Sequence, residues 1–353
     1  MANKVRVEAI QIVVPTKPTD PRQTRRITVS ENVRSTAVLQ RCFHLLLCYN
    51  KASSDDSGWL VAGQIKESLG RALQDYPLLA GRLRWCDADL EIVPNDSGTR
   101  LVESKAEMAL GDFVEMEEKR EDEAELVFWE DVLHHTPQFS PLIYVQVTNF
   151  TCGGYSIGIS CSLLLADPFT LTTIIKKWAT LHNNIVSTSE IPKISTFYLP
   201  NYGPPPSSTS LLIGSNTSKA AAESVIFKIP TNILNSDNNI HKHLAALCVE
   251  EAEHDTGRKL APNLSLLVQV PSGDDRVEVC SRQGLFECST LGHGVKGVSC
   301  ARTWDELELD NICFSEGNKL VYASCWINSV IDEGSVIIAP STDQGVQIVV
   351  TFT

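Results

Sequence analysis

The chain has 353 residues, of which 43% are hydrophobic and 21% are charged, a composition typical of a soluble globular protein with a large core. Its formal net charge of −13 argues against nucleic acid or an anionic membrane as the main partner. The first residues show neither a long apolar run nor a cleavage-site pattern, and no apolar run approaches a membrane span. We therefore expect neither a signal peptide nor a membrane-spanning segment.

The first hundred residues predict several strands and one helix. Strand-like segments cover residues 5–14 and 39–48, with an arginine-rich segment at 22–29 between them, and short strands are predicted at 90–93 and 101–102. Between these groups, Ile65, Leu69 and Leu73 recur at helical spacing. The helix leads into the turn segment Tyr76-Pro77-Leu78-Leu79-Ala80-Gly81-Arg82-Leu83.

Several polar stretches are interpreted as solvated surface. The first is the acidic run at 115–125, and the second is the pair His134–His135 in a predicted loop. His241 and His243 are two apart in a helix predicted over 240–253, so they cannot chelate one metal ion from the same helix face. His254, expected just after that helix, suits the helix dipole without a catalytic role.

A hairpin followed by a helix is predicted over residues 141–182. Strands at 142–150 and 155–162 flank the turn Cys152-Gly153-Gly154. In the second strand, Tyr155, Ile157, Ile159 and Cys161 would share one face, and Ser156, Gly158, Ser160 and Ser162 the other. Asp167 is the predicted N-cap of the helix and Pro168 its first residue. Leu171, Ile174, Ile175, Trp178 and Leu181 form its predicted buried stripe.

The proline- and serine-rich stretch 191–210 predicts a crossover between two domains, at 1–190 and 211–353. The second domain starts with a strand at 224–229 and has a further strand at 264–270. Strands at 320–327, 336–339 and 345–352 are expected to finish the chain as a meander. No element is recognisable between 269 and 297.

Eleven cysteines are scattered along the chain without any C-x-x-C pair. This distribution predicts neither a disulfide framework nor a zinc site. We therefore predict no metal and a reducing, cytoplasmic location for the chain.

The hairpin and helix at 141–182 resemble the core of the plant BAHD acyltransferases, which move an acyl group from coenzyme A to an alcohol or amine. In that family the returning strand ends in His-x-x-x-Asp, and the histidine is the general base. Here the aspartate is Asp167, and Leu163 stands at the position of the histidine. The turn Pro77–Leu83 also resembles the family's Pro-Leu-x-x-Gly-Arg-Leu segment.

The resemblance implies an α/β fold of two similar-sized domains, each a mixed β-sheet with flanking helices, like chloramphenicol acetyltransferase, with a tunnel between them. It also implies that Asp167 is structural and holds its loop through a charged pair. The family's second signature, Asp-Phe-Gly-Trp-Gly, falls at 313–317, where only Phe314 and Gly317 remain. In relatives this segment shapes the fold around the coenzyme channel, so we interpret these two residues as a structural remnant.

A leucine can neither accept a proton nor donate a hydrogen bond. The sequence therefore predicts a BAHD-family protein with lost or strongly reduced catalysis, acting as an accessory or binding protein in acyl metabolism. Its predicted partners are a small-molecule acyl donor or acceptor, or a partner enzyme. Acyl-CoA would be a co-substrate rather than a tightly bound cofactor, and the chain is expected to be monomeric.

Two other functions remain open at this point. The chain could be an active transferase that uses a nucleophilic amine acceptor, or a base from another segment such as His44 or His293. Alternatively, it could be a lyase or hydrolase in which Ser162 is the nucleophile, although no nucleophile elbow surrounds that serine.

Overall fold

The computed structural model of the protein describes residues 5–30, 37–51, 58–188, 220–230, 240–270, 275–287, 299–301, 303–315, 317–341 and 345–353. The linker predicted at 191–210 and His293 lie outside the described residues. The described strands form two sheets, and helices flank them, which confirms the predicted α/β class.

The first sheet has six strands. In spatial order they are β1 (Val5–Val13), β6 (Thr99–Ala106), β7 (Ile143–Asn149), β8 (Tyr155–Ser162), β3 (Cys42–Tyr49) and β13 (Leu320–Ile327). Only β6 and β7 pair in parallel, so the sheet is mixed. Every residue of β3 and β8 is buried, because the sheet is covered on both faces.

The second sheet has nine strands. In spatial order they are β12 (Ser299–Ala301), β9 (Ser224–Pro230), β15 (Gly345–Thr351), β14 (Glu333–Ser341), β10 (Asn263–Val268), β11 (Asp275–Ser281), β2 (Arg25–Val29), β5 (Asp89–Val93) and β4 (Arg82–Cys86). The pairs β10–β14 and β11–β2 are parallel and the others antiparallel, so this sheet is mixed too.

Seven α-helices complete the described fold. They are α1 (Ala37–Gln40), α2 (Gly58–Asp75), α3 (Leu110–Glu115), α4 (Arg120–Glu125), α5 (Pro168–Ser187), α6 (Ile240–Thr256) and α7 (Arg282–Glu287). Helices α2 and α5 share one core with the apolar face of β3 and β8, while α6 packs with the second sheet in a separate core.

The predicted hairpin is confirmed, and its register explains the two faces of the first sheet. Leu45 lies opposite Ile159 on the apolar face, which packs toward α2 and α5. On the opposite face His44 lies opposite Ser160. Residues 126 and 127 pack in a smaller cluster on this second face, with Leu46 and Trp326.

The predicted C-terminal meander is wrong, because β13 does not neighbour β14. It pairs instead with β3 in the first sheet, while β14 and β15 form a hairpin in the second. In the same way β2, β4 and β5 belong to the second sheet although they come early in the chain. Each sheet therefore contains strands from both halves of the sequence, and the boundary at residues 190–211 stays a prediction.

Some stretches differ from the sequence interpretation. A strand and a short helix, β11 and α7, occupy part of the region where no element was recognised. In the acidic run, Glu123 is buried and accepts a hydrogen bond from the hydroxyl of Tyr322. His243 is buried as well, and His254 lies within the last turn of α6 because the helix continues to Thr256. These polar side chains are buried by elements that are distant in the sequence. Their burial therefore cannot be predicted from the pattern of neighbouring residues.

Candidate functional site

Leu163 directly follows β8, and its backbone is held from two sides. Its N–H donates to the carbonyl oxygen of Arg41 at 3.1 Å, and its own carbonyl accepts from Nε2 of Gln269 at 3.1 Å. Its side chain is only 2% exposed. These bonds tie the end of the first sheet to the end of β10, so Leu163 lies where the two sheets meet.

A small cleft lies between the two sheets at this position, with a cavity volume of about 10 Å³, enough for about one water molecule. We call it the inter-sheet cleft. Its polar lining consists of Arg41, Ser265 and Ser335. Its apolar lining consists of Val38, Leu163, Leu164, Leu267, Val277 and Ile337. The position that the resemblance assigns to the base thus faces this cleft with a hydrocarbon side chain, and no described histidine lines it.

Asp167 caps α5, as predicted. Its Oδ1 accepts from the backbone N–H groups of Phe169 at 2.8 Å and Thr170 at 3.0 Å, and Pro168 occupies the first turn. Its own N–H donates to Oε1 of Gln269 at 3.2 Å. The side chain therefore serves the helix and the loop, which agrees with a structural role.

The charged pair expected for Asp167 is not present among the described residues. The nearby cation Arg25 instead donates to the carbonyl oxygens of Leu164 at 2.7 Å and Leu165 at 2.5 Å. It also pairs with Asp275 at 3.3 Å. The loop after β8 is thus held by a guanidinium that binds its backbone, and the carboxylate in this arrangement comes from β11.

Two opposing effects act on the pKa of Asp167: the positive end of the helix dipole lowers the pKa of a carboxyl, whereas burial raises it. Burial raises the pKa of the Asp167 carboxyl, and the hydrogen bonds from Thr170 and Phe169 offset only part of that increase. Its second oxygen, Oδ2, is buried without a hydrogen-bond partner among the described residues. The desolvation of the carboxyl group therefore outweighs the contribution of the helix N-terminus.

Replacement of Asp167 tests the capping role. Asp167→Asn keeps an oxygen acceptor for the two N–H groups, so we expect the free energy of unfolding to change little. Asp167→Ala leaves both donors without a side-chain acceptor and should cost about 1 to 2 kcal/mol. Urea unfolding followed by circular dichroism measures both variants. Equal stability of the alanine and asparagine variants would contradict the role.

Ser162 does not line the inter-sheet cleft. It is fully buried, and its Oγ accepts from the N–H of Leu164 at 3.3 Å. The imidazole of His44 is bonded to the neighbouring serine instead, with 2.8 Å between Nδ1 and Ser160 Oγ. The geometry therefore gives no histidine to activate Ser162.

His44 lies inside the first sheet rather than in the cleft. It is fully buried, and its Nε2 is 3.1 Å from Sγ of Cys42. Its ring packs on Trp326 with 5.1 Å between centroids. Both ring nitrogens of His44 therefore contact side chains of the first sheet, and His44 does not supply a base to the cleft.

The segment with Phe314 and Gly317 packs against the buried face of α5. The ring of Phe314 is buried against Trp178, with centroids 4.8 Å apart, and against His182 at 5.6 Å. Gly317 has φ of +89°, a conformation that favours glycine. Neither residue lines the inter-sheet cleft. This packing supports the structural interpretation, which stays a prediction.

Two backbone contacts fix that segment further. Nδ2 of Asn183 donates to the carbonyl of Cys313 at 2.6 Å, and the Tyr49 hydroxyl donates to the carbonyl of Ile312 at 2.9 Å. The segment therefore fastens α5 and the first sheet to the chain that leads into β13.

Arg41 is the residue of the cleft that sequence reasoning missed. It is 2% exposed, and its guanidinium donates to the carbonyl oxygens of Asn328 at 3.5 Å and of Glu333. Burial lowers the pKa of Arg41 to about 10, although the negative charge of Glu333 partly counteracts this. The available signal was a single arginine between the apolar residues of α1 and β3.

Within the described ranges, no cluster of three or more His, Cys, Asp or Glu side chains is arranged to hold a metal ion. The described helices include none with the length and apolarity needed to cross a bilayer. The ten cysteines in these ranges form no disulfide.

The model of the transferase family matches residues 3–233, which is 231 of the 353 residues. This chain belongs to the BAHD acyltransferase family. The solved structure of vinorine synthase, a BAHD fold, matches 99% of this chain and 94% of its own with a TM-score of 0.50. At 13% identity that likeness supports the fold alone.

Curated BAHD relatives match over shorter segments. Protein ECERIFERUM 2 of Arabidopsis thaliana is 36% identical over 118 residues, which is 31% of this chain and 28% of that protein. Rosmarinate synthase of Plectranthus scutellarioides is 30% identical over 166 residues, which is 46% of this chain and 37% of that protein. The chain thus spans less than two fifths of the length of these relatives, so membership of the family does not by itself establish its activity.

Proposed function

We propose that this BAHD-family protein has lost acyltransferase catalysis or retains it only at a strongly reduced rate. It would act as an accessory or binding protein in plant acyl metabolism. The observation that carries the proposal is the side chain of Leu163, which faces the cleft at the position that the resemblance assigns to the general base.

Acyl transfer from a thioester requires a group that takes the proton of the attacking hydroxyl or amine. Leu163 cannot do so. The nearest carboxylate along the chain, Asp167, is occupied as an N-cap. The described histidine nearest along the strands, His44, is bonded to Cys42 and Ser160. The described groups therefore leave the cleft without a proton acceptor in the position where the reaction needs it.

A turnover assay tests the proposal. The purified protein is incubated with several acyl-CoA donors and with phenolic and amine acceptors, and the released thiol is measured. A positioned base contributes about 10² to 10⁴ in rate, so we expect turnover at least about 10²-fold below that of a histidine-bearing family member.

Two variants make the assay decisive. Leu163→His should either remain silent or gain turnover, because it restores only one part of a catalytic site. Leu163→Phe fills the cleft and serves as the matched control. Robust wild-type turnover that Leu163→Phe abolishes and Leu163→His leaves unchanged would overturn the proposal.

The proposal also includes a cytoplasmic, monomeric chain. The odd number of scattered cysteines and the absence of a C-x-x-C pair in the sequence favour a reducing compartment. Gel filtration with light scattering tests the monomeric state, and a dimer at micromolar concentration would contradict it.

A further inference from the structure

We propose that the inter-sheet cleft binds one water molecule, which bridges Arg41, directly before β3 of the first sheet, to Ser335 on β14 of the second sheet. The inference goes beyond the proposed function and does not depend on it, because it concerns how the two sheets are joined beside Leu163.

The first observation is a buried guanidinium with one donor left over. Arg41 is 2% exposed, and its two terminal nitrogens donate to the carbonyl oxygens of Asn328 at 3.5 Å and of Glu333. Its Nε is buried and has no hydrogen-bond partner among the described residues. A buried donor without a partner is costly, since it has lost its bond to solvent and gained none in the protein. The Nε of Arg41 therefore requires an acceptor that the described side chains do not supply.

The second observation comes from the opposite wall of the cleft. Ser265 on β10 lies in register with Ser335 on β14, so their side chains are neighbours on the same face of the second sheet. The Oγ of Ser335 is buried and has no hydrogen-bond partner among the described residues. The Oγ of Ser265 reaches the carbonyl oxygen of Gly334 only at 3.5 Å, which is long for a hydroxyl donor. Both serines line the same cleft as Arg41.

The size of the cleft matches a single water molecule. Its cavity volume of about 10 Å³ is close to the least that one water requires, and a buried water typically makes about three hydrogen bonds. The lining offers three polar side chains for them, namely the N–H donor of Arg41 and two hydroxyls that can donate or accept. The other six lining residues are apolar, so the water has its partners on the side of Arg41 and the two serines.

The charge of Arg41 does not require a bound anion instead. Burial lowers the pKa of Arg41 to about 10, and the negative charge of Glu333 opposes this decrease. A carboxylate of the protein therefore already stabilises the buried cation. A chloride ion is also larger than a water molecule, so a neutral ligand of the size of water fits the cleft better in both respects.

A crystal structure of the full chain, at a resolution that shows ordered water, tests the inference directly. We expect one density peak within about 3.2 Å of both Nε of Arg41 and Oγ of Ser335. A second crystal soaked in sodium bromide should show no anomalous signal at this position. Absence of the peak, or bromide in its place, would overturn the inference.

Two variants test the bridge in solution by urea unfolding. Ser335→Val removes the hydroxyl and fills the space of the water, which leaves Nε of Arg41 without an acceptor. We expect the folding equilibrium constant to fall at least about tenfold. Ser335→Thr is the matched control, because it adds nearly the same volume but keeps a hydroxyl, and it should lose less.

A dry cleft predicts the opposite sign. In that case Ser335→Val would remove an unsatisfied buried hydroxyl and fill a void, so the protein would become more stable. A Ser335→Val protein at least as stable as the wild type, or equal losses for the valine and threonine variants, would therefore overturn the inference.

Ser335→Ala covers the case in which the valine variant does not fold. It removes the hydroxyl without filling the space. A folding equilibrium constant about threefold lower or less supports the bridge, and an unchanged or higher constant refutes it. Turnover of acyl-CoA by the wild type would refute the proposed function and leave this inference unaffected.

Discussion

Gly158→Ala is expected to lower the free energy of unfolding by about 4 kcal/mol or to prevent folding. Gly158 lies in the middle of β8, within the first sheet. A Cβ at this position would lie 2.1 Å from the carbonyl oxygen of Leu126 and 3.1 Å from Cγ1 of Val127. That carbonyl belongs to the backbone of the segment that covers the second face of the sheet, so it cannot rotate away as a flexible side chain would.

The covering segment is also fixed from the neighbouring strand. Nε2 of Gln146 on β7 donates to the carbonyl oxygen of Glu125 at 2.9 Å. Retreat of Leu126 would therefore break this bond and open the cluster that Leu126 and Val127 form with Leu46. Glycine at this position is required by the close approach of two backbones, and any side chain would push the layers apart.

Urea unfolding of the wild type and the variant measures the effect. Gly63→Ala is the matched control, because a Cβ there would meet nothing within 4 Å and the residue lies in the helix α2. We expect this control to gain about 0.5 to 1 kcal/mol through helix propensity and a more restricted unfolded chain. A Gly158→Ala protein within 0.5 kcal/mol of wild-type stability would show that the two layers are not held as closely as described.

Local chemistry explains which parts of this fold could be predicted from sequence. The cap at Asp167, the proline at the first turn of α5 and the hairpin around Gly153 each depend on residues close together in the chain. The strand partners of β13 and β2 depend on contacts between distant segments. A strand pattern indicates which residues alternate between the two faces of a sheet, but it does not indicate which strand is its neighbour. For this reason the predicted meander was wrong.

The same limit applies to the candidate site. Leu163 was located from its fixed spacing to Asp167, and the structure places it in the lining of the inter-sheet cleft. The other polar members, Arg41, Ser265 and Ser335, come from three separate elements. None of them belongs to a motif, and their proximity arises only when β10 and β14 of the second sheet approach the start of β3. Sequence could therefore indicate that a leucine lies in the site, but not which hydrogen-bond donors surround it.

His182 should make the stability of the protein depend strongly on pH between about 6.5 and 4. It lies on α5, is 2% exposed, and its Nδ1 is 2.8 Å from Oγ of Ser68 on α2. Trp178 donates to the same hydroxyl at 3.0 Å, and the ring of Phe314 covers the imidazole. Burial lowers the pKa of His182 to about 4, because no described carboxylate stabilises its charged form.

As the pH falls below 6.5, the unfolded chain binds a proton at this histidine while the folded protein does not. Stability is therefore complete above pH 6.5 and decreases until the folded protein is also protonated, near pH 4. The total loss is about 3 kcal/mol, since one pKa unit corresponds to about 1.4 kcal/mol. Because His182 contacts Phe314, its protonation should also loosen the segment that ties α5 to β13.

Urea unfolding at a series of pH values measures this dependence. His182→Gln retains a polar group for Ser68 but cannot gain a charge, so its stability should be nearly flat from pH 6.5 to 4 apart from the contribution of the carboxylates that both proteins share. His254→Gln on α6 changes an exposed imidazole and should follow the wild type. If His182→Gln and the wild type lose stability in parallel as the pH falls, the buried imidazole is not the group that titrates, and the packing of α2, α5 and Phe314 around it does not control acid stability.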